Sequence, residues 1–402
     1  MNIVCLSERE YGCGASIAGY RLAQGLAAAG HTVHWWYGQP FAPGAPNAQA
    51  LARRQFPAAL DLNKLEGGFA KISTALWGKF LARRWRQNFD ALRRWLTEVR
   101  ADVVLLNNVD RILNHRQVSL LADQYPTVWL VHSNLAFEPF HYRFALPGGG
   151  EETAYSYPPA LVDTEAQRAM IGHPNLTFVT PSSWLEQHNR ALHGTLPDIR
   201  RIPYGVDPRL FFPEKTGHKP GAKIRVLFVA SNVGYPRKNI RVLLAALPHL
   251  PADRFRFQAL GKDTDGLADR YPQVEFLSPS YAPADLRRHY SAADYFFIPS
   301  LIDNLPNTVL ESLFCGTPVI GSRTGGVPDM VVPGTSGVLF DPYDAQDLVR
   351  VLLKIVAQPP TCLRGKLLHD WALERYGLTG VTARYEQLFQ EKIDDFRADA
   401  GA

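Results

Sequence analysis

Short apolar runs alternate with helical patterns along both halves of the chain. Strands are predicted at residues 2–6, 31–37, 103–106, 127–131 and 176–179, and again at 224–230, 255–260, 274–277 and 295–298. Amphipathic stretches, such as residues 16–29, predict helices between the strands. Strands that alternate with helices form parallel sheets covered by helices, so the pattern predicts an α/β chain with two Rossmann-like, doubly wound halves.

A polar segment separates the two halves. Residues 214–223 contain Gly217, Pro220 and Gly221, which is typical of an interdomain linker. The pattern predicts a first domain at 1–213, a second at 214–378 and a helix within 379–402. A length of 402 residues favours two hydrophobic cores over one. Two such domains facing across a cleft would form a common type of small-molecule site.

The longest helical pattern covers residues 72–100 and has one basic face. Its apolar residues recur every three or four positions, and its cations are Lys79, Arg83, Arg84, Arg86, Arg93 and Arg94. Tryptophans and arginines on one helix suit peripheral contact with an anionic membrane. A core-facing helix with a solvated polar face is the alternative.

Composition narrows the class of protein. Hydrophobic residues make up 46% and charged residues 20%, as in soluble globular proteins. A net charge of +5 does not predict nucleic-acid binding, although it is compatible with anionic substrates or a lipid surface. The four cysteines are far apart, which predicts neither a zinc site nor a disulfide framework. Without a charged leader or an apolar run of membrane-spanning length, the chain is predicted to be cytoplasmic.

Two carboxylates, Asp303 and Glu311, flank a predicted anion site. Between them a polar turn is formed by Asn304, Leu305, Pro306, Asn307 and Thr308, and a helix is predicted from Val309 to Phe314. The first turn of a helix offers unpaired N–H groups and a positive dipole end, both of which suit a phosphate. The alternative is an ordinary capped helix whose glutamate faces water.

Arg237 and Lys238 lie just after a buried strand and just before a helix. An arginine can bind two phosphate oxygens at once and a lysine adds a compact charge, so the pair suits a diphosphate, with a solvated turn as the alternative. His132 follows another strand end, where ligands bind in open parallel sheets, although a structural role is common for such a histidine. Gly14 lies in a glycine-containing loop before the first helix, which lacks the full dinucleotide fingerprint.

These segments together resemble a known family. The D-x7-E pattern with NLPNT inside it, followed by CGTPVIGSRTGGVPD, resembles the donor-site signature of retaining, family-4 type glycosyltransferases with the GT-B fold, also described as glycosyl transferases group 1. The segments VWLVHSN and IPYGVD and the adjacent Arg-Lys pair are similar to the family as well. Asp303 stands where the family usually has glutamate, and Cys13 where its first loop glycine usually stands.

The resemblance implies a sugar transfer with retained anomeric configuration. The donor would be a nucleoside diphosphate sugar, and the acceptor a hydroxyl of a glycan, a lipid-linked molecule or a small molecule, as in polysaccharide biosynthesis. It implies a hexosyltransferase-type enzyme (EC 2.4) that uses neither a metal nor a resident cofactor. Accordingly, Asp263-Thr264-Asp265 is expected to be a polar loop and not a metal site. The final helix is expected to pack on the first domain, as it does in the family.

The resemblance also implies residue roles. Arg237, Lys238, Gly14 and the helix start near Asn307 and Thr308 would bind the diphosphate, and Glu311 the ribose. Asp303 and His132 would contact the donor sugar, with His132 reaching it from the opposite domain after closure. Nucleobase contact would fall near Leu277. The aromatic segment 135–160, which follows His132 without periodicity, predicts a long loop and an acceptor-facing lid, although its rings could instead fill a local core.

Two other classes of function stay open. One is a different enzyme on the same fold, such as a nucleotide-sugar epimerase or a phosphorylase. The other is a nucleotide-sugar-binding partner without catalysis, which Asp303 and Cys13 keep open.

Overall fold

A computed structural model describes residues 1–39, 51–56, 74–109, 112–138, 140–156, 163–194, 198–215, 223–263 and 266–400. Residues 216–222 of the predicted linker, Tyr157 of the aromatic segment, and Thr264 and Asp265 lie outside these residues. The chain divides into two compact units. The first unit is Met1–Tyr142, Tyr155–Gly205 and Leu378–Ala402, and the second unit is Arg143–Ala154 and Val206–Gly377.

Strands and helices alternate through the described residues. The strands are β1 (Asn2–Arg9), β2 (Thr32–Gln39), β3 (Ala52–Gln55), β4 (Val103–Asn108), β5 (Thr127–Leu130), β6 (Phe140–Ala145), β7 (Glu151–Ser156), β8 (Leu176–Thr180), β9 (Ile199–Arg201), β10 (Ile224–Asn232), β11 (Phe255–Lys262), β12 (Val274–Leu277), β13 (Tyr295–Ile298), β14 (Val319–Ser322) and β15 (Gly337–Phe340). The helices are α1 (Gly14–Ala28), α2 (Thr74–Val99), α3 (His115–Ala122), α4 (Thr164–Ile171), α5 (Ser183–His193), α6 (Ile240–Ala246), α7 (Leu267–Arg270), α8 (Pro283–Ala292), α9 (Asn307–Phe314), α10 (Val327–Met330), α11 (Ala345–Ala357), α12 (Gly365–Tyr376) and α13 (Leu378–Ala400).

The first unit is built on a parallel sheet. Within its described residues the strand order is β3-β2-β1-β4-β5-β8-β9. The chain adds strands on one side of β1 and then returns to add β4 and its successors on the other side. The carboxyl ends of β1 and β4 therefore flank the point at which the strand order reverses, where ligands bind in open α/β sheets.

The second unit repeats this topology. Its parallel sheet has the order β12-β11-β10-β13-β14-β15, and the order reverses between β10 and β13. The predicted α/β architecture with two doubly wound halves is confirmed.

The core of the first unit explains the helical pattern of residues 72–100. Phe89, Leu92 and Leu96 of α2 are buried against the sheet, and Trp85 is 8% exposed. Arg93 and Arg94 are exposed on the same helix. The apolar face of α2 is therefore core-facing over residues 85–96, and the buried Trp85 is not available to a membrane.

Part of the aromatic segment 135–160 forms strands and not the predicted irregular loop. β6 and β7 pair as a two-stranded sheet joined by residues 146–150. Tyr142 and Phe144 are buried on either side of the exposed Arg143. This alternation, with a period of two residues, is the strand signal that the sequence analysis missed.

Candidate functional site

Arg237 and Lys238 lie at the strand-order reversal of the second unit. β10 ends at Asn232, and residues Pro236–Lys238 form one turn of 3-10 helix. The following Asn239 is left-handed, with φ of 53°, and its buried amide donates to the carbonyl oxygens of Pro299 at 3.2 Å and Pro342 at 2.9 Å. These bonds connect the turn to the segments after β13 and β15, which fixes the backbone position of Arg237 and Lys238.

Asp303 brings the two cations together. Its Oδ1 lies 3.0 Å from Nη1 of Arg237, and its Oδ2 lies 2.6 Å from Nζ of Lys238. Burial raises the pKa of this carboxyl, but Lys238 and Arg237 outweigh burial and hold it well below the usual range. One carboxylate against two cations leaves the cluster with one net positive charge. The side chains of Arg237 and Lys238 remain 16% and 20% exposed, so an anion from solvent can reach them.

The backbone around Asp303 is closely fitted. The hydroxyl of Ser300 donates to Oδ2 at 3.2 Å, and the N–H of Gly326 donates to the carbonyl oxygen of Asp303 at 2.9 Å. Gly325 has φ of +56°, and a Cβ atom at this position would lie 2.1 Å from that carbonyl oxygen. The two glycines therefore allow the loop to pass directly against Asp303.

Glu311 lies one turn inside α9, which begins at Asn307 and not at Val309 as predicted. The helix therefore presents the N–H groups of Asn307 and Thr308 in its first turn, and both residues are partly exposed. Glu311 is only 4% exposed, and the fully buried Tyr290 donates to its Oε2 at 3.2 Å. Its carboxylate is a hydrogen-bonded buried group, so it is not the solvated glutamate of the capped-helix alternative.

The remaining predicted donor residues occupy different elements. Asn304 and Leu305 are buried before α9, and Pro306 occupies the N-cap position of that helix. Leu277 is the last residue of β12, the edge strand of the second sheet. Gly14 is the first residue of α1 in the first unit.

His132 follows β5 in the first unit and is held by two side chains. Its Nδ1 lies 2.6 Å from the hydroxyl of Tyr204, and its Nε2 lies 2.7 Å from Oδ1 of Asn107. Tyr142 donates to its backbone oxygen at 2.9 Å. Burial lowers the pKa of His132 to about 3, and the hydrogen bond to Asn107 opposes that shift. The imidazole is therefore neutral at physiological pH.

Four residues at these sites were missed by the sequence analysis: Asn107, Tyr204, Asn239 and Tyr290. Asn107 had a signal, because it is the first polar residue after the apolar run of β4. Asn239 directly follows the Arg-Lys pair, but nothing in the sequence shows its left-handed backbone. Tyr204 and Tyr290 reach their partners across 72 and 21 residues, and no local pattern carries that information.

Among the described residues, no group of three or more histidine, cysteine or acidic side chains is arranged to hold a metal ion. Asp263 accepts a hydrogen bond from the backbone of Ala268 at 2.8 Å. The helices of the described residues include none with the length and apolar character needed to cross a bilayer.

Two doubly wound α/β units in one chain fit a known class of protein, the GT-B fold. A solved sucrose-phosphate synthase from Thermosynechococcus elongatus shares this fold over 97% of this chain and 99% of its own, with a TM-score of 0.73 and 20% identity. A solved Anabaena HepE in complex with UDP-glucose covers 97% of this chain and 100% of its own, with a TM-score of 0.61 and 14% identity.

Family models identify the chain more closely. The model described as Glycosyltransferase Family 4 matches residues 13–210, and the model described as Glycosyl transferases group 1 matches residues 223–358. The chain belongs to this family of glycosyltransferases. A D-inositol 3-phosphate glycosyltransferase from Corynebacterium jeikeium is 42% identical over 215 residues, which are 47% of this chain and 51% of the relative. The first three curated relatives are matched over only 21%, 51% and 26% of their length.

Proposed function

We propose that the protein transfers a sugar from a nucleoside diphosphate sugar to an acceptor hydroxyl, with retained anomeric configuration and without a metal ion. Family membership supports the reaction class. The observation that carries the proposal is the cluster of Arg237, Lys238 and Asp303 at the strand-order reversal of the second unit. Its net positive charge and partial exposure suit the diphosphate of such a donor.

The reaction develops negative charge on the leaving group. The bond between the anomeric carbon and the diphosphate oxygen breaks, the acceptor oxygen bonds to that carbon on the same face, and the acceptor proton passes to the departing phosphate. Arg237 and Lys238 stabilise the charge that appears on this phosphate, and fixed donors of this kind contribute about 3 kcal/mol each. These two cations supply the positive charge that a metal ion supplies in other transferases.

The other residues bind and orient the donor. Glu311, held by Tyr290, is proposed to bind the ribose hydroxyls, and the first turn of α9 the phosphate oxygens. Asp303 and His132 are proposed to contact the transferred sugar, Leu277 the base, and Gly14 the diphosphate. UDP-glucose is the first donor to test, because a neighbour in fold was solved with it.

The acceptor is proposed to be a glycan, a lipid-linked molecule or a small polyol. Curated relatives are D-inositol 3-phosphate glycosyltransferases, so inositol 3-phosphate belongs in the first acceptor panel. The exposed arginines of α2, among them Arg86, Arg93 and Arg94, support peripheral contact with an anionic membrane on the cytoplasmic side.

Ligand-dependent melting and a product assay test the proposal. We expect the matching nucleotide to raise the melting temperature, because a ligand at 100 times its Kd stabilises the native state by about 2.7 kcal/mol. With the acceptor panel in excess chelator, the product should keep the donor's anomeric configuration by NMR. Arg237→Ala with Lys238→Ala should abolish both the shift and turnover, and Glu311→Ala should weaken donor binding severely.

The control is the double variant Lys223→Ala with Arg254→Ala. These exposed cations directly precede β10 and β11, at the amino ends of the strands, whereas Arg237 and Lys238 follow a carboxyl end. The control therefore removes the same charge at a position remote from the candidate site. Control protein should melt and turn over like wild type. If no nucleotide stabilises the chain, or if the Arg237 and Lys238 variant keeps its shift, the donor site is wrong. Binding without product would favour the non-catalytic alternative.

A further inference from the structure

We propose that Ser7, Asn107 and Tyr204 form a hydrogen-bonded chain that fixes His132 as its neutral, Nε2-protonated tautomer, and that Asn107 and Tyr204 are positioning residues for sugar transfer. The proposal rests on the proposed function for the role of His132. The chain of bonds itself stands on geometry within the first unit alone.

The donor and acceptor in each hydrogen bond of this chain follow from the bond at Ser7. The hydroxyl of Ser7 lies 2.7 Å from the backbone oxygen of Arg9, an acceptor only, so Ser7 must donate its proton there. The same hydroxyl oxygen lies 3.1 Å from Nδ2 of Asn107 and accepts from it. The amide of Asn107 is thereby oriented with Oδ1 toward His132.

The orientation of Asn107 decides the state of the imidazole. Oδ1 can only accept, so Nε2 of His132 must carry the proton over the 2.7 Å contact. Nδ1 then has a lone pair, and the hydroxyl of Tyr204 donates to it at 2.6 Å. Each bond of the chain follows from the one before it, so a single tautomer satisfies all of them.

Packing holds this chain rigidly. Ser7 and Asn107 are fully buried, and Tyr204 is 7% exposed. A Cβ atom on Gly19 of α1 would lie 2.1 Å from Oδ1 of Asn107, so the helix backbone confines the amide directly. Position 19 therefore requires glycine if Asn107 is to keep its orientation.

Two phenols of the described residues hydrogen-bond to His132. Tyr204 contacts the ring and Tyr142 the backbone oxygen. Among neighbouring charged groups, Glu8 follows Ser7 on β1 and accepts from Asn108 at 3.3 Å, with Arg9 at 3.9 Å. These carboxylate and guanidinium groups are engaged with each other, which leaves the chain itself uncharged.

A neutral imidazole suits the proposed reaction. The anomeric carbon gains positive charge as the leaving group departs, and a protonated histidine beside the sugar would oppose that charge. Burial keeps the second proton off His132. The hydrogen-bonded chain fixes the tautomer and the orientation of the ring, and it takes no proton from the substrates.

The first test compares Tyr204→Phe with Tyr142→Phe. Each variant removes one phenol hydroxyl that bonds to His132, but only Tyr204 faces the ring. In histidine-labelled protein, NMR should show the Nε2-protonated tautomer of His132 in wild type and in Tyr142→Phe, and a mixture of tautomers in Tyr204→Phe. The resonance is assigned by its loss in His132→Gln. We expect kcat/KM to fall about 3- to 10-fold in Tyr204→Phe alone, as for one lost neutral hydrogen bond.

The second test is Asn107→Asp, which places a carboxylate beside Nε2. An adjacent negative charge raises a histidine pKa by about 1–3 units, so this variant should gain an acidic limb in its profile of kcat/KM against pH. The limb should disappear when His132→Gln is added. A role confined to folding would lower the melting temperature without creating that limb.

Each failure has a distinct meaning. If wild-type His132 shows the Nδ1-protonated tautomer, or titrates between pH 5 and 8, the assigned chain of hydrogen bonds is wrong, whichever group the enzyme transfers. If the Asn107→Asp limb is absent or survives the His132→Gln substitution, the positioning role is wrong. If the tautomer is as expected while no nucleotide binds the protein, the proposed function is wrong and the assigned hydrogen bonds stand.

Discussion

At the scale of residues, the candidate donor site avoids leaving buried cations uncompensated. Two cations held together in the absence of a ligand would repel each other and lose hydration, at a cost of several kcal/mol. Asp303 contacts both of them and lowers this cost, while one net positive charge remains for a phosphate. An incoming diphosphate therefore meets a cluster already arranged for it, and need not draw the two cations together.

Burial also lowers the pKa of two histidines of the first unit. The free energy of unfolding therefore depends on pH. Burial is the main cause that lowers the pKa of His115 to about 4, and Asp163 opposes the shift. Burial lowers the pKa of His132 further, to about 3. A histidine is ordinarily protonated in the unfolded chain below about pH 6.5. As pH falls through that value, the unfolded state binds protons that the folded state does not, so stability falls toward acid.

We expect His115→Gln to reduce this loss of stability. Between pH 7 and 5, the buried imidazole should cost wild type about 2 kcal/mol that the variant does not lose. Urea unfolding of the two proteins at both pH values measures the difference. His249→Gln is the control, since that side chain is exposed. An identical pH dependence in His115→Gln and wild type would contradict the account of His115.

At the scale of elements, the loops after parallel strands decide what each unit can bind. The 3-10 turn after β10 supplies two cations, and the segment after β13 supplies the carboxylate between them. The loop after β14 contains Gly325 and Gly326, which pack against the backbone of Asp303. Three loops from neighbouring strands therefore build one site, and the fit between them is tight.

Gly325→Ala tests that fit against a matched control. A Cβ atom at Gly325 would lie 2.1 Å from the carbonyl oxygen of Asp303, whereas a Cβ atom at Gly334 meets nothing within 4 Å. Both glycines have positive φ, of 56° and 77°, so alanine carries a similar backbone strain at each, about 1 kcal/mol. We expect Gly325→Ala to lose nucleotide affinity and turnover severely, and Gly334→Ala to lose only stability. Equal nucleotide affinity in the two variants would show that the contact with Asp303 is not required.

Sequence patterns predicted the elements with strong apolar signals. The strands at 2–6, 103–106, 224–230 and 295–298 were found within a few residues of their observed bounds, because buried parallel strands are short and uniformly apolar. β3 was missed because Ala-Arg-Arg-Gln has no apolar alternation. This edge strand is held by backbone pairing with β2 and by Arg54, which contacts Glu98 at 3.0 Å and the ring of Trp95.

The candidate site was predictable only in part. Arg237, Lys238, Asp303 and Glu311 lie in local motifs, and the first three do come together. Their supporting partners are distant in sequence. The contact between Asn107 and His132 depends on neighbouring strands, and that between Tyr290 and Glu311 on the packing of two helices. Sequence spacing therefore suggests which groups act, and tertiary packing decides how each is oriented and charged.

At the scale of the whole molecule, charge is distributed in a way that the net value of +5 does not reveal. The described part of α2 exposes Arg83, Arg86, Arg93 and Arg94 beside two exposed carboxylates, Asp90 and Glu98. Phe89, Leu92 and Leu96 of this part are buried in the core, so membrane contact through residues 83–94 would rest on charge and not on insertion. Such binding adds about 1 kcal/mol for each basic residue near an anionic surface and is screened by salt.

We expect the chain to bind phosphatidylglycerol vesicles and not phosphatidylcholine vesicles. Replacing Arg86, Arg93 and Arg94 with glutamine should weaken this binding about 100-fold, because three contributions of about 1 kcal/mol are lost. The control replaces Arg241, Arg254 and Arg270, exposed arginines of the second unit, and should bind like wild type at equal net charge. Vesicle sedimentation at low and high salt measures both proteins. Equal binding to the two lipids, or equal weakening by the two triple variants, would show that α2 does not direct the protein to an anionic membrane.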